Sequence, residues 1–108
     1  MDVWNRYTYR VFFSDEDEEF VAVCAELPGL SWLDKNPEKA LAGIRKVARD
    51  AVKLLVKDGD EIPDPLAARK YSGNFKVRVP PEVHRKLVIE AAEQGVSLNR
   101  LASAKLAG

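Results

Sequence analysis

Residues 74–81 read Asn-Phe-Lys-Val-Arg-Val-Pro-Pro, a strict alternation stopped by two prolines. Successive strand side chains point to opposite faces, so Phe75, Val77 and Val79 share one face and Asn74, Lys76 and Arg78 the other. Pro80-Pro81 ends the strand and opens a helix, because proline cannot continue a ladder but is tolerated in the first helical turn. Val83, Leu87, Ala91 and Ala92 then recur at helical spacing up to Gly95, a natural position for a left-handed cap. Ser97 is placed to cap a second helix whose apolar stripe is Leu98, Leu101, Ala102 and Leu106. The order is strand, helix, tight turn, helix, in about 35 residues that hold little core of their own. Segments below roughly 40 residues usually need a disulfide, a metal or a partner. A lone Cys24 and a lone His84 supply neither staple. Self-association through the strand is the expected solution.

The polar face of that strand has a chemistry. Arg and Lys donate to guanine edges in a major groove and Asn pairs bidentately with adenine; a merely solvated strand face would carry the same residue types. The segment resembles the ribbon-helix-helix family of DNA-binding proteins, on the alternating strand ending at Pro80 and the Gly95-Val96-Ser97-Leu98-Asn99 turn. The resemblance implies two strands from two chains pairing antiparallel in the major groove, with Asn74, Lys76 and Arg78 towards the bases. It also implies a backbone phosphate at the free amides around Ser97, Leu98 and Asn99, where the helix dipole favours an anion.

Charge divides along the chain. Residues 1 to 70 carry 11 Lys+Arg against 14 Asp+Glu, a net of −3, and residues 71 to 108 carry 6 against 3, a net of +3. A basic tail behind an acidic front suits a nucleic-acid contact in the one and a different partner for the other. The amino terminus lacks the basic start and apolar run of a signal peptide, and no apolar stretch reaches membrane-spanning length. A cytoplasmic location and no membrane association are the expectations, and a single unpaired cysteine agrees with them.

The front has its own pattern. Tyr7 to Phe13 alternates, with Tyr7, Tyr9, Val11 and Phe13 on one face; Phe20 to Ala25 is a second strand, and Asp15, Glu16, Asp17, Glu18 and Glu19 lie in the turn between them. Pro28-Gly29 precedes a short third strand, Leu30 to Leu33. Asn36-Pro37-Glu38 reads as an N-cap, a first-turn proline and a first-turn acid. The helix that follows carries a stripe of Leu41, Ile44, Val47, Ala48, Ala51, Val52 and Leu55 to Gly59, and Lys39, Lys46, Asp50, Lys53 and Lys57 on its solvated side. Ile62-Pro63-Asp64-Pro65 could add an edge strand. The fold expected is α+β: an antiparallel sheet of three or four strands with one packed helix over residues 1–65, a linker over 66–73, and the strand-helix-helix segment over 74–108.

With these elements in place the resemblance widens to the HicB antitoxin family. Its carriers are the tyrosine-rich first strand, the acidic hairpin, Glu26-Leu27-Pro28-Gly29, Glu38-Lys39-Ala40-Leu41 at the helix start, Gly59 and Ile62-Pro63-Asp64-Pro65. That family joins a reduced ribonuclease-H-like domain to a DNA-binding tail. It implies a protein that binds a HicA-type mRNA-cleaving toxin and represses its own operon. Its partners would be the toxin, operator DNA and itself, as a dimer that could pair further into a tetramer. A basic toxin would suit Asp15, Glu16, Asp17 and Glu18, although such a charged turn also serves solubility alone. A stand-alone regulator without a toxin is the alternative.

Catalysis is not expected. Ribonuclease-H chemistry needs clustered carboxylates to hold two metal ions, beginning with an acid inside the first strand, and Tyr7 to Phe13 contains none. Neither a cofactor nor a metal is implied. Cys24 alternates with apolar neighbours and reads as a core residue rather than a nucleophile, His84 as a surface residue or a minor phosphate contact rather than an acid-base group. Trp32 is expected to close the core, and Trp4 could serve core or partner.

Overall fold

The alternation on either side of the acidic turn produces a hairpin: β1 (Tyr9–Ser14) and β2 (Glu19–Cys24) pair antiparallel, with Tyr9 opposite Cys24 and Phe13 opposite Phe20. In this computed structural model, which describes residues 2–108, β3 (Ser31–Asp34) pairs with β2, giving the order β1-β2-β3. The turn is closed by Ser14, whose hydroxyl donates to the Asp17 carboxylate at 3.0 Å and accepts the Asp17 N–H at 3.2 Å. The rings of Phe13 and Phe20 meet edge-on with centroids 5.2 Å apart, a favoured aromatic geometry.

α1 (Pro37–Asp58) starts where the capping signal predicts. The Asp34 carboxylate accepts the Asn36 N–H at 2.9 Å, and Asn36 Oδ1 in turn accepts the Lys39 N–H at 3.1 Å. Its buried row is Ala40, Ile44, Ala48 and Val52, residues four apart that stack along one side of a helix. That row sits slightly round from the expected stripe. Leu41 is 38% exposed, and the small Ala40 lies against the sheet instead. The helix packs against all three strands, covering the face that carries Ala22 and Cys24. Tyr7, Ala22, Cys24, Ala40, Ile44 and Val52 form the buried core, with Trp4, Tyr9, Val11, Phe20 and Ile62 packed around it.

Two expectations for the front change here. Trp32, expected in the core, is 40% exposed, because β3 is an edge strand and leaves one flank of the indole open. Its ring crosses α1 at Gly43, where a Cβ would collide with it, so the close approach requires glycine. Residues 62–65 form no strand; two prolines in four positions remove the N–H donors a ladder needs. The segment is held by side chains instead. The Tyr7 hydroxyl donates to the Pro63 carbonyl at 2.7 Å, a 3-10 turn follows at Leu66–Ala68, and the Tyr71 hydroxyl donates to the Leu66 carbonyl at 2.7 Å.

The chain divides into two units, residues 1–71 and 72–108. In the second, α2 (Pro81–Gln94) and α3 (Leu98–Ala107) meet through Ala91 and Leu101 and through the ion pair of Lys105 with Glu90 at 3.2 Å. Gly95 adopts φ 69° and its N–H caps α2, a left-handed conformation that a side chain would strain. The expected strand over 74–79 is not formed in the single chain. A strand exists only through its ladder, and no second strand lies in this unit. No helix among the described residues is long and apolar enough to cross a membrane.

Candidate functional site

The residues expected to read bases lie together in one exposed run. Asn74, Lys76 and Arg78 are solvent-facing, as are their apolar alternates: Phe75 is 74% exposed, Val77 61% and Val79 42%. A tight turn precedes the run, in which the Asn74 N–H donates to the Ser72 hydroxyl at 3.0 Å. α2 opens directly behind it at Pro81, as the double proline predicts. Three apolar side chains here alternate with three polar ones, all in water. Burying a valine or phenylalanine side chain is worth about 1.5–3 kcal/mol, so covering any of the three would be favourable.

Ser97 caps α3 as expected. Its side-chain oxygen accepts the Arg100 N–H at 3.0 Å and its carbonyl accepts the Leu101 N–H at 3.0 Å. The first amides of a helix have no acceptor within it, and Leu98 and Asn99 stand at that end, with Asn99 exposed. Arg100 is exposed in the same turn and adds positive charge there. His84, in the first turn of α2, is likewise exposed.

In the first unit Asp15, Glu16, Asp17 and Glu18 are all exposed in the β1-β2 turn. Asp17 is tied to Ser14, and Glu18 takes a positive φ of 53°, so the turn presents its carboxylates from a defined backbone. Asp50 is exposed on α1 beside Arg49 at 3.4 Å. Among the described residues no three His, Cys, Asp or Glu side chains converge as a metal site.

The most engaged carboxylate among the described residues belongs to the Glu26-Leu27-Pro28-Gly29 motif. Glu26 is 8% exposed and bridges three parts of the first unit. Its Oε1 accepts the Thr8 N–H at 2.8 Å; its Oε2 accepts the Leu66 N–H at 2.9 Å and the Thr8 hydroxyl at 3.2 Å. Burial alone would raise its pKa, but the backbone donors of Thr8 and Leu66 outweigh that and hold the carboxyl below the ordinary glutamate range. The Cys24 thiol points to Glu26 Oε1 at 3.7 Å, and burial pushes its pKa up. A buried, protonated thiol beside a carboxylate is a packing group, not an activated nucleophile. An open depression of about 410 Å³ adjoins this bridge, lined by Ala25, Pro63, Asp64 and Arg69 among others. Glu26 spends both oxygens on the chain's own donors, so its role is to bolt the segment after α1 to the end of β2. No local pattern could reveal this, since Leu66 is 40 residues away.

Comparison with curated proteins and with solved structures returns no match. A family model does match, over residues 58–106, and its description is HicB family. The matched stretch runs from the end of α1 through Leu66, the alternating run 74–79 and both tail helices. Over these residues, 49 of the chain's 108, it is similar to the HicB family.

Proposed function

We propose that the chain is an antitoxin: its first unit neutralises a HicA-type mRNA-cleaving toxin, and its second, as a dimer, binds operator DNA and represses the operon. The observation that carries the reading is the exposed alternation at 74–79 inside the family-matched stretch. Pairing two such runs antiparallel buries Phe75, Val77 and Val79 and sets Asn74, Lys76 and Arg78 of both chains in one ribbon, a width that a major groove admits. Phosphates on either side would meet the amides around Ser97, Leu98 and Asn99. The toxin contact would involve Asp15, Glu16, Asp17 and Glu18, whose charge suits a basic RNA-binding protein. No catalytic step is assigned to this chain, and the work is done in the cytoplasm.

The test has two arms. The purified protein should shift its own promoter DNA as a dimer or higher oligomer, and co-expression should restore growth to cells producing the toxin encoded beside it. Val77→Asp, which would bury a charge in the paired ribbon, should abolish the shift and lower the oligomer mass while leaving the first unit folded. A protein that does neither is not an antitoxin of this kind. The second reading, a stand-alone regulator, draws on the family match covering the tail and little of the first unit. It predicts a promoter shift with no toxin rescue.

A further inference from the structure

The strand register leaves one face of the sheet without a cover. Phe12 stands opposite Val21, and Val21 opposite Leu33, so these three form a row straight across the sheet. They alternate with Val11, Ala22 and Trp32, which belong to the side that α1 covers, so the row faces the other way. Phe12 is 37% exposed and Leu33 41%. Val23 lies one pleat away between Arg10 and Ser31, and the Arg10 guanidinium lies over the Phe12 ring at 4.5 Å from its centroid.

We propose that this uncovered sheet face is where the first unit takes up a basic protein partner. Phe12, Val21 and Leu33 are its apolar centre and the acidic β1-β2 turn its rim. The inference rests on the toxin reading above and specifies the surface that reading needs. Charge decides the occupant. Asp15, Glu16, Asp17, Glu18 and Glu19 follow one another at one end of the face, and Arg10 answers them from within it. A second copy related by a two-fold axis would bring the same acidic excess against itself, whereas a basic protein would compensate it. Size points the same way. Strands about 4.8 Å apart and residues rising about 3.3 Å make the bare face roughly 10 Å by 20 Å, well short of the ~800 Å² that each side of a stable interface buries. The turn must therefore join the contact, and its carboxylates select a partner rich in lysine and arginine.

The experiment is a titration of the full chain with a catalytically inactivated HicA-type toxin, the one encoded beside this gene. Variants are Leu33→Ser, a paired Asp15→Lys and Glu16→Lys, Arg10→Gln, and Leu54→Ser on the outer side of α1 as a control. Far-UV circular dichroism and the unfolding midpoint check that each variant is folded. Leu33→Ser should weaken binding about tenfold, as loss of a central apolar contact does, and should do so equally at low and high salt. The charge reversal should weaken it by a similar factor at low salt and less as salt rises. Arg10→Gln, which removes the opposing charge, should leave binding unchanged or tighten it, and Leu54→Ser should change nothing. If the wild type binds no toxin, the antitoxin reading falls and this surface with it. If the wild type binds but Leu33→Ser does so equally well, or Arg10→Gln weakens it, the reading survives and the surface is wrong. Loss of an oligomer on Leu33→Ser without toxin present would assign the face to a second copy and overturn the proposal.

Discussion

In the first unit Ala22, Ala40, Ile44 and Ala48 are sealed from solvent, whereas in the second Phe75, Val77 and Leu106 are each more than 60% exposed and only Ala91 and Leu101 are buried among the apolar residues. Both units carry regular apolar patterns, so the difference lies in what each pattern can meet within one chain. A sheet and a helix in the first unit close on each other. Two short helices and a lone extended run in the second cannot, and a unit of under 40 residues has no other staple. The lesson is that the first unit closes its apolar pattern within one chain, and the second leaves much of its own in water.

Breaking the first unit should give the largest effect. Ile44→Ala opens a cavity in the middle of the core and should cost about 2–5 kcal/mol, read by urea unfolding of the full chain. Its unfolding should not depend on protein concentration, while the transition of the second unit should move to higher denaturant as concentration rises. If both transitions respond to concentration, or if the folded variant no longer shifts DNA, the separation of the two units fails.

Glu26→Gln sharpens the same contrast at the place where the segment after α1 is bolted down. One oxygen of the carboxylate faces the Thr8 N–H and the other the Leu66 N–H, so an amide must turn its NH2 against one of these donors. The loss should be about 1–3 kcal/mol. The sign with pH follows from the lowered folded pKa. The carboxylate contributes fully above the unfolded value of about 4.3, and its contribution is lost as pH falls through the folded value below it. Wild type and variant should therefore converge in stability at acid pH. A constant gap down to that range would show that the ionised bridge is not the cause.

In the second unit, Arg78→Ala should weaken operator binding by about 1–3 kcal/mol and relax sequence preference, with Lys76→Ala behaving alike if it too reads a base. Equal losses on operator and random DNA would move these residues to the phosphate backbone and leave the reading of bases to other groups.

Local chemistry accounts for what was legible in the sequence. Asn36, Pro37, Ser97, Gly59 and Gly95 mark the ends of helices because caps act within one turn, and the structure sets α1 and α3 behind Asn36 and Ser97. The hairpin registers follow from alternation around a polar turn. The exposure of Trp32 is not legible, because the sequence does not say which strand lies at an edge. Ala40, one residue before the stripe that starts at Leu41, is fully buried, because the sheet meets the helix slightly round from that stripe. The bridge made by Glu26 is not legible either, because its partners sit 18 and 40 residues away. The uncovered row of Phe12, Val21 and Leu33 needed the pairing of three strands before its members became neighbours. For the tail, the alternation is plain in the sequence, but no second strand lies in this unit to pair with residues 74–79, so no ladder forms.

Ser97→Ala gives the smallest effect and separates two roles of one residue. The hydroxyl caps α3 through the Arg100 N–H, so its loss should cost about 1 kcal/mol of stability in the second unit. If a phosphate also sits at this helix end, the variant should bind operator and random DNA more weakly by the same factor, since phosphate contacts carry little sequence information. Asn is as good a cap as serine, so Ser97→Asn should restore stability. DNA affinity that returns with it would mean that Ser97 acts by holding the helix end in place. Affinity that stays low on both DNAs would mean that the serine hydroxyl itself touches the phosphate. Specificity that falls in either variant would put this turn among the base-reading groups and redraw the division between strand and helix end.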